Sequence, residues 1–297
     1  MRQGDEQVTG FRFVDEHKAE HRIVDLCRVA GVARSRYYLW RTRTPCARQR
    51  ANAALLVEIR EIHEQSRRTY GAPRVTGQLR RRGHRVGQNR VARLMADNHL
   101  VGAHARRKFR RGRHPKIVPA PDLLQRDFTA EQPDTRWVAD ISEFKCWDGK
   151  LYLAGIRDLH DHTLVGWSMG ERQTTDLVIA ALVMALGRRN PGRDLVHHAD
   201  HGAQYTSLEF TNRLHDWGLV GSYGSVGDCF DNSAIESYWA LMKTEIRHIW
   251  GPFGERTRSE MRTILFDYIE TFYNRTRHQQ GLGHRTPAEV YAQALTG

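Results

Sequence analysis

No run of about eighteen consecutive apolar residues occurs anywhere in the chain, and that excludes a helical membrane span. The opening segment, Met-Arg-Gln-Gly-Asp-Glu-Gln, lacks the apolar core of a secretory signal. Cysteine is scarce: four in 297 residues, at positions 27, 46, 146 and 229, with no C-x-x-C pair. Such scatter argues against a disulfide framework and a zinc finger, and it suits a reducing, cytoplasmic setting. None of the 16 histidines sits in an H-x-x-x-H or H-E-x-x-H pattern with matching further ligands. His197 and His198 lack companions too, so no structural zinc is expected.

Acidic residues are also rare where basic ones crowd. Residues 1–120 hold 28 lysines and arginines against 10 acids, whereas residues 121–297 hold 18 against 24. The split points to a basic, polyanion-binding part joined to a part with other work. Arginine supplies nearly all the positive charge. That favours bidentate contacts to phosphate and guanine, or it reflects a GC-rich genome.

The basic part reads as helices. Glu20 to Val29 carries Ile23, Val24, Cys27 and Val29 near helical spacing, Gly31 supplies a turn, and Ser35 is placed to cap a helix to Arg43. This outlines a helix–turn–helix, or equally an ordinary helical hairpin with a solvated basic face. After Pro45 a helix is expected over about 50–66, with Leu55, Leu56, Ile59 and Ile62 on one stripe. Pro73 suits the first turn of a helix running to about Arg82, which Gly83 ends. A further helix, Gln88 to Asp97, turns Val91, Leu94 and Met95 inward. This second unit offers Arg80, Arg81, Arg82, Arg85, Arg90 and Arg93 to phosphates. Residues 104–121 read as a basic linker, with Arg107 and Arg110 placed to lie along DNA.

From Trp137 the texture changes. Strands are expected at 137–144, 152–158 and 163–169, turned at Asp148-Gly149 and Asp161-His162. An almost wholly apolar helix, 175–188, should pack between layers. A strand (195–199), a helix (207–217), a short strand (219–223) and a long helix (233–248) follow. The order implies an α/β mixed sheet with helices on its faces, behind all-α units.

Within that sheet three acids stand out. Asp140 interrupts the run Trp-Val-Ala-Asp-Ile, Asp200 ends Leu-Val-His-His-Ala-Asp, and Glu236 sits in the opening turns of the long helix. A carboxylate set into a buried strand costs roughly several kcal/mol unless it is paired, protonated or bound to a cation. Converging, the three would hold divalent metal. Each also has a plainer explanation: an arginine partner for Asp140, a strand end before Gly202 for Asp200, a Ser233-x-x-Glu236 capping box for Glu236. Asp158, Asp161, Asp228 and Asp231 are assigned turn or cap duty. Gln204 and Tyr205 are placed to position DNA or the helix behind them.

Four segments together resemble a known family. They are Trp137-Val138-Ala139-Asp140-Ile141-Ser142, His198-Ala199-Asp200-His201-Gly202-Ala203-Gln204-Tyr205, Asp231-Asn232-Ser233-Ala234-Ile235-Glu236-Ser237-Tyr238-Trp239, and Tyr273-Asn274-Arg275-Thr276-Arg277-His278 with Thr286-Pro287-Ala288-Glu289. With Tyr70-Gly71-Ala72-Pro73-Arg74-Val75 upstream, residues 50–297 resemble bacterial insertion-sequence transposases of the second-reading-frame type, with a retroviral-integrase-like core. The resemblance implies a ribonuclease-H-like fold and a catalytic, metal-binding triad of Asp140, Asp200 and Glu236. It also implies a basic residue near the element end at Lys243, and Mg²⁺ or Mn²⁺ as cofactor, two ions acting together. Where the family has arginine after the second aspartate, this chain has His201.

The implied activity is strand cleavage and strand transfer on double-stranded DNA by a polynucleotidyl transferase, with no covalent enzyme intermediate. Implied partners are element ends, target DNA, further copies of the chain and a first-reading-frame protein; the implied place is the cytoplasm, at the nucleoid. The DNA-contacting set is Lys243, Arg74, Arg80, Arg81, Arg90, Arg107, Arg110, Arg275 and Arg277. The expected division is 1–48 and 49–103 as helix–turn–helix units, 104–130 as linker, and 131–297 as catalytic core with a helical extension. The alternatives are a regulatory or inactive DNA-binding protein, for which the first 120 residues suffice, and a nuclease on the same core.

Overall fold

The computed structural model describes residues 3–42, 44–104, 123–124, 127–224 and 232–296. The chain divides into two compact units, Met1–Val57 and Glu58–Gly297. Among the described residues no helix is long and apolar enough to cross a membrane.

The first unit holds α1 (Gln3–His17), α2 (Ile23–Val29) and α3 (Arg34–Thr42), and α4 (Ala47–Gln65) begins in it. Phe11, Val14, Leu26, Cys27 and Tyr37 form its small core. Gly31, at φ 65°, makes the expected turn between α2 and α3. Ser35 is not the cap: α3 starts at Arg34, and Ser35 lies inside its first turn. Helix α1 was not anticipated, because its apolar residues are few and two of them, Val8 and Phe13, stay exposed.

The second unit opens with the end of α4, α5 (Ala72–Arg81) and α6 (Gln88–Asp97). Val91, Leu94 and Met95 are buried, as the sequence implied, and Val75 and Leu79 of α5 are buried with them. Gly83, at φ 89°, ends α5.

Beyond it lie β1 (Arg136–Cys146), β2 (Gly149–Asp158), β3 (Leu164–Gly170), α7 (Thr175–Arg189), β4 (Val196–Ala199), α8 (Leu208–Asp216), β5 (Val220–Tyr223), α9 (Ser233–Trp250), α10 (Arg258–Phe266) and α11 (Pro287–Thr296). A π-helical stretch, Asp267–Tyr273, continues α10. The sheet order is β3-β2-β1-β4-β5. The first three strands pair antiparallel, while β4 joins β1, and β5 joins β4, in parallel. This is the ribonuclease-H-like arrangement expected above.

Strand periodicity sorts the sheet into two faces. Trp137, Ala139, Ala154, Ile156 and Val165 pack with α7 and α8. Val138, Phe144, Leu151, Leu153 and Leu164 pack with α9, α10 and the π-helical stretch. Helix α7 is not enclosed between layers as its composition suggested. It covers the sheet with Leu177, Val178, Ala181, Leu182 and Ala185, and leaves Val183 52% exposed. Its approach to the sheet is close, since a Cβ added at Gly166 of β3 would lie 2.1 Å from the Ala181 carbonyl oxygen.

Candidate active site

Register decides where the acids go. Ala139 of β1 pairs with Ala199 of β4 in the parallel ladder, so Asp140 and Asp200 leave adjacent strands at matching positions. By strand alternation Asp140 projects from the face that α9 covers, as Val138 does, and Asp200, one residue past the end of β4, is near enough for its charge to act on Asp140. Glu236 lies near the start of α9. The three segments, far apart in sequence, therefore meet at one edge of one face.

Two hydrogen bonds tie α9 there. Asn232, just before the helix, donates its side-chain amide to the Ala139 carbonyl at 3.0 Å. Trp239 donates its indole N–H to Asp140 Oδ2 at 2.9 Å. Glu236, three residues before Trp239, is on the same helical face. The indole fits because Gly155 is the β2 partner of Asp140: a Cβ there would lie 2.6 Å from Trp239 Cη2.

The charges act on one another in all three pairs. Burial, then the charges of Asp200 and Glu236, push Asp140 up to about 7, against the pull of the Ile141 amide and the Trp239 indole. Burial raises Asp200 above the usual carboxylate range, while the Gly202 amide and the neighbouring histidines His201 and His198 pull it back. Burial and the Asp200 charge raise Glu236. Acid oxygens whose charges oppose one another, with Asp140 half-buried and Asp200 and Glu236 reached by solvent, suit a hard divalent cation. Among the described residues, however, no three His, Cys, Asp or Glu side chains are gathered tightly enough to enclose a metal ion.

The capping role open to Glu236 is not taken. The helix N-cap is Asn232, Ser233 is the first helical residue, and no side-chain cap bond forms. Gly202 bonds Asp200 Oδ1 through its amide at 3.2 Å. Tyr205 is buried, with its ring against Phe210 of α8, so it positions the helix behind the site. Gln204 donates to the Gln173 carbonyl. Asp158 and Asp161 perform turn duty: Asp158 accepts amides of Asp134, His160 and Asp161, and Asp161 accepts that of Thr163. Asp228 and Asp231 lie outside the described residues.

Lys243, two turns past Glu236, stands over the Phe144 ring at 5.1 Å. Burial lowers its pKa, as does the Arg247 charge, while Asp140 and Glu143 raise it.

The arginines expected on DNA divide. Arg277 is a correction: it is 2% exposed, and its guanidinium grips Glu245, itself 1% exposed, through three bonds of 2.9–3.1 Å. Arg74 also turns toward Glu245, at 3.2 Å, and the Tyr268 hydroxyl completes the cluster at 2.8 Å. Arg81 is engaged by Glu289 and the His284 carbonyl. Arg80 is exposed, with only long bonds to the Val86 carbonyl. Arg90 is half-buried and Arg275 exposed. Arg107 and Arg110 lie outside the described residues. In the sequence Trp239 and Asn232 stand within the motif around Glu236 without a role of their own, and Glu245 does not stand out. Their signal is position on α9 and just before it, three, four and nine residues from Glu236.

Comparison with known proteins bears on the same segments. Residues 130–229 match the integrase core domain family and residues 49–109 an HTH-like domain family. The chain is 37% identical over 266 residues to an insertion element IS600 uncharacterized 31 kDa protein of Shigella sonnei, covering 89% of this chain and 96% of that one. It is 36% identical over 287 residues to the transposase InsF for insertion sequence IS3A of Escherichia coli, covering 93% and 96%. A solved HTLV-2 integrase catalytic core domain, in complex with magnesium, aligns at TM-score 0.42 and 15% identity, over 54% of this chain and 98% of that chain.

Proposed function

The chain belongs to the insertion-sequence transposases with an integrase core domain, and from that premise we propose that it cuts the ends of its element and joins them to target DNA through Asp140, Asp200 and Glu236. The observation that carries this reading is the pairing of Ala139 with Ala199, which sets two aspartates side by side beneath the helix bearing the glutamate.

The three carboxylates would hold Mg²⁺ or Mn²⁺, two ions in the working complex. When bound, such ions polarise the scissile phosphate and lower the pKa of the attacking oxygen. The chain's own residues shape the rest. Trp239 fixes one oxygen of Asp140, and the Gly202 amide fixes one of Asp200. The reaction is a pair of in-line displacements at phosphorus. A water oxygen first replaces the 3′ oxygen at the element end and frees a hydroxyl; that hydroxyl then replaces a bridging oxygen in target DNA. Each step exchanges one P–O bond for another, so no nucleophilic side chain is needed.

Residues 1–48 and 49–103 serve as DNA-binding units, 104–130 as a linker and 131–297 as the catalytic core with its extension. Lys243, Arg80, Arg90 and Arg275, with Arg107 and Arg110, supply phosphate contacts. Two DNA ends must be held together, which favours several copies of the chain at work on DNA, with or without a first-frame protein. A purely regulatory role is disfavoured by the family membership.

The test is a strand-transfer assay with labelled end DNA and Mg²⁺. D140N, D200N and E236Q should each lose cleavage and joining while binding DNA as the parent does. Turnover retained by any one of them removes that residue from the mechanism.

A further inference from the structure

Helix α9 and strand β1 run alongside each other away from the acidic cluster. Trp239 meets Asp140, and Lys243, one turn on, meets Phe144, four residues along the strand. Arg247, a further turn on, stands over Phe253 at 4.6 Å, and that ring packs edge-on against Phe144 at 5.3 Å. The line ends at the β1–β2 hairpin, where Trp147 is 77% exposed. Lys145 is exposed beside it.

The tip is held firmly. The Trp147 amide donates to the Arg256 carbonyl at 2.8 Å, and Arg256 in turn reaches the Trp250 carbonyl. Asp148 accepts the Arg258 amide at 2.7 Å and its guanidinium at 3.3 Å. The acids near the tip are taken up, Glu143 by Lys150 and Asp148 and Glu171 by Arg258. Among the described residues Lys145, Lys243 and Arg247 form no ion pair. A large aromatic surface kept in water on an anchored turn, at the end of a run of cations, is a platform whose ordering has already been met by the fold.

We infer that this stripe carries one DNA strand away from the reacting phosphate, with Lys243 and Arg247 on its backbone and Trp147 stacked on an unpaired base. Stacking on an aromatic ring tolerates any base and adds to phosphate contacts along a basic track. Six residues of extended strand carry the chain from Asp140 to Cys146, just before Trp147, roughly 20 Å. At about 3.4 Å per nucleotide, that places the stacked base about six nucleotides from the bond being exchanged. The inference rests on the transposase reading and adds to it a base-binding position.

The experiment uses the full chain with end and target DNA carrying 2-aminopurine at successive positions, in a mismatch so that the base can unstack. Wild type should change the fluorescence of the probe at one position, about six nucleotides from the joint. W147A should lose that signal and bind DNA about tenfold more weakly, while W147F should keep the signal. R247A should lower the slope of log affinity against log salt by about one. A signal that survives W147A, or W147A binding equal to wild type, overturns the inference. Circular dichroism of W147A guards against misfolding. The underlying reading is separable: D140N should not cleave yet should still give the signal, whereas a wild type that cleaves without a signal at any position sinks the stacking site alone.

Discussion

Trp239 donates its indole N–H to Asp140 Oδ2 at 2.9 Å, and this bond links the long helix directly to a carboxylate of the acidic cluster on the central strand. It orients a carboxylate that burial and two neighbouring charges would otherwise leave protonated near neutrality. Hydrogen bonds to charged groups contribute about 1.5–3 kcal/mol. W239F should therefore slow strand transfer by about ten- to a hundredfold while DNA binding stays near the parent value. G155A should act on the same bond from below, because its Cβ would lie 2.6 Å from the indole ring. Equal rates for W239F and the parent, in a single-turnover joining assay, would show that the indole only packs.

The pH dependence of stability follows from Asp140. Its pKa in the fold is about 7, raised first by burial and then by Asp200 and Glu236. A carboxyl raised on folding takes up a proton as the chain folds. Its contribution is fully present in acid, below the unfolded value, and is lost as pH rises through about 7. D140N removes that loss, so without metal it should melt higher than the parent at pH 8, with the gap closing at pH 5. Addition of millimolar Mg²⁺ should stabilise the parent at pH 8 and leave D140N unmoved, since only ligand binding to the folded state raises its stability. Melting curves at the two pH values, with and without the ion, decide it; a variant that melts below the parent at pH 8 refutes the assignment.

The core was legible because its elements carried local patterns. Turn signals at Asp148-Gly149 and Asp161-His162 bounded β1 to β3, an apolar stripe at helical spacing marked α4 and α6, Pro73 and Gly83 bracketed α5, and Asp140 and Asp200 stood out by breaking or ending apolar runs. Other features rested on no period. Helix α10 begins with a Thr257–Glu260 capping box, a readable signal that went unused. The Glu245–Arg277 pair joins residues 32 apart, and an acid on a helix reads as solvated until something is known to cover it. Gly155 looks like any strand glycine until the register sets it opposite Asp140. Arginine in a basic region says nothing of direction, so Arg277 and Arg74 were assigned outward when a buried carboxylate holds them inward.

That inward turn separates two arginines in one motif. Arg275 is exposed and Arg277 is buried on Glu245. R275A should bind DNA more weakly, with the slope of log affinity against log salt reduced by about one. R277M leaves the Glu245 carboxylate partly uncompensated, and breaking a buried pair costs about 3–5 kcal/mol. It should lower the denaturation midpoint strongly. In whatever fraction remains folded, the salt slope should match the parent. The double change E245M/R277M should recover part of the stability, because the one charge then left without its partner is Arg74, whose side chain is 30% exposed and can turn to water. A salt slope that falls in R277M as in R275A would return Arg277 to the DNA-contacting set.

Gly202 offers the sharpest test of how closely the second aspartate is held. Its amide bonds Asp200 Oδ1 at 3.2 Å, and a Cβ added there would sit 2.9 Å from the same oxygen. Neither residue lies in a strand or helix, so the fold has little to lose from a methyl group. The carboxylate, by contrast, must rotate or shift by a few tenths of an ångström, and chemistry that needs oxygens placed to about 0.5 Å is sensitive to that. G202A should keep the parent melting temperature within about 2 °C and the parent DNA affinity. Its joining rate should fall by about tenfold or more, and the Mg²⁺ concentration for half-maximal rate should rise. A titration of rate against Mg²⁺ that superimposes on the parent curve would mean that the Asp200 oxygen facing Gly202 plays no part in the reaction.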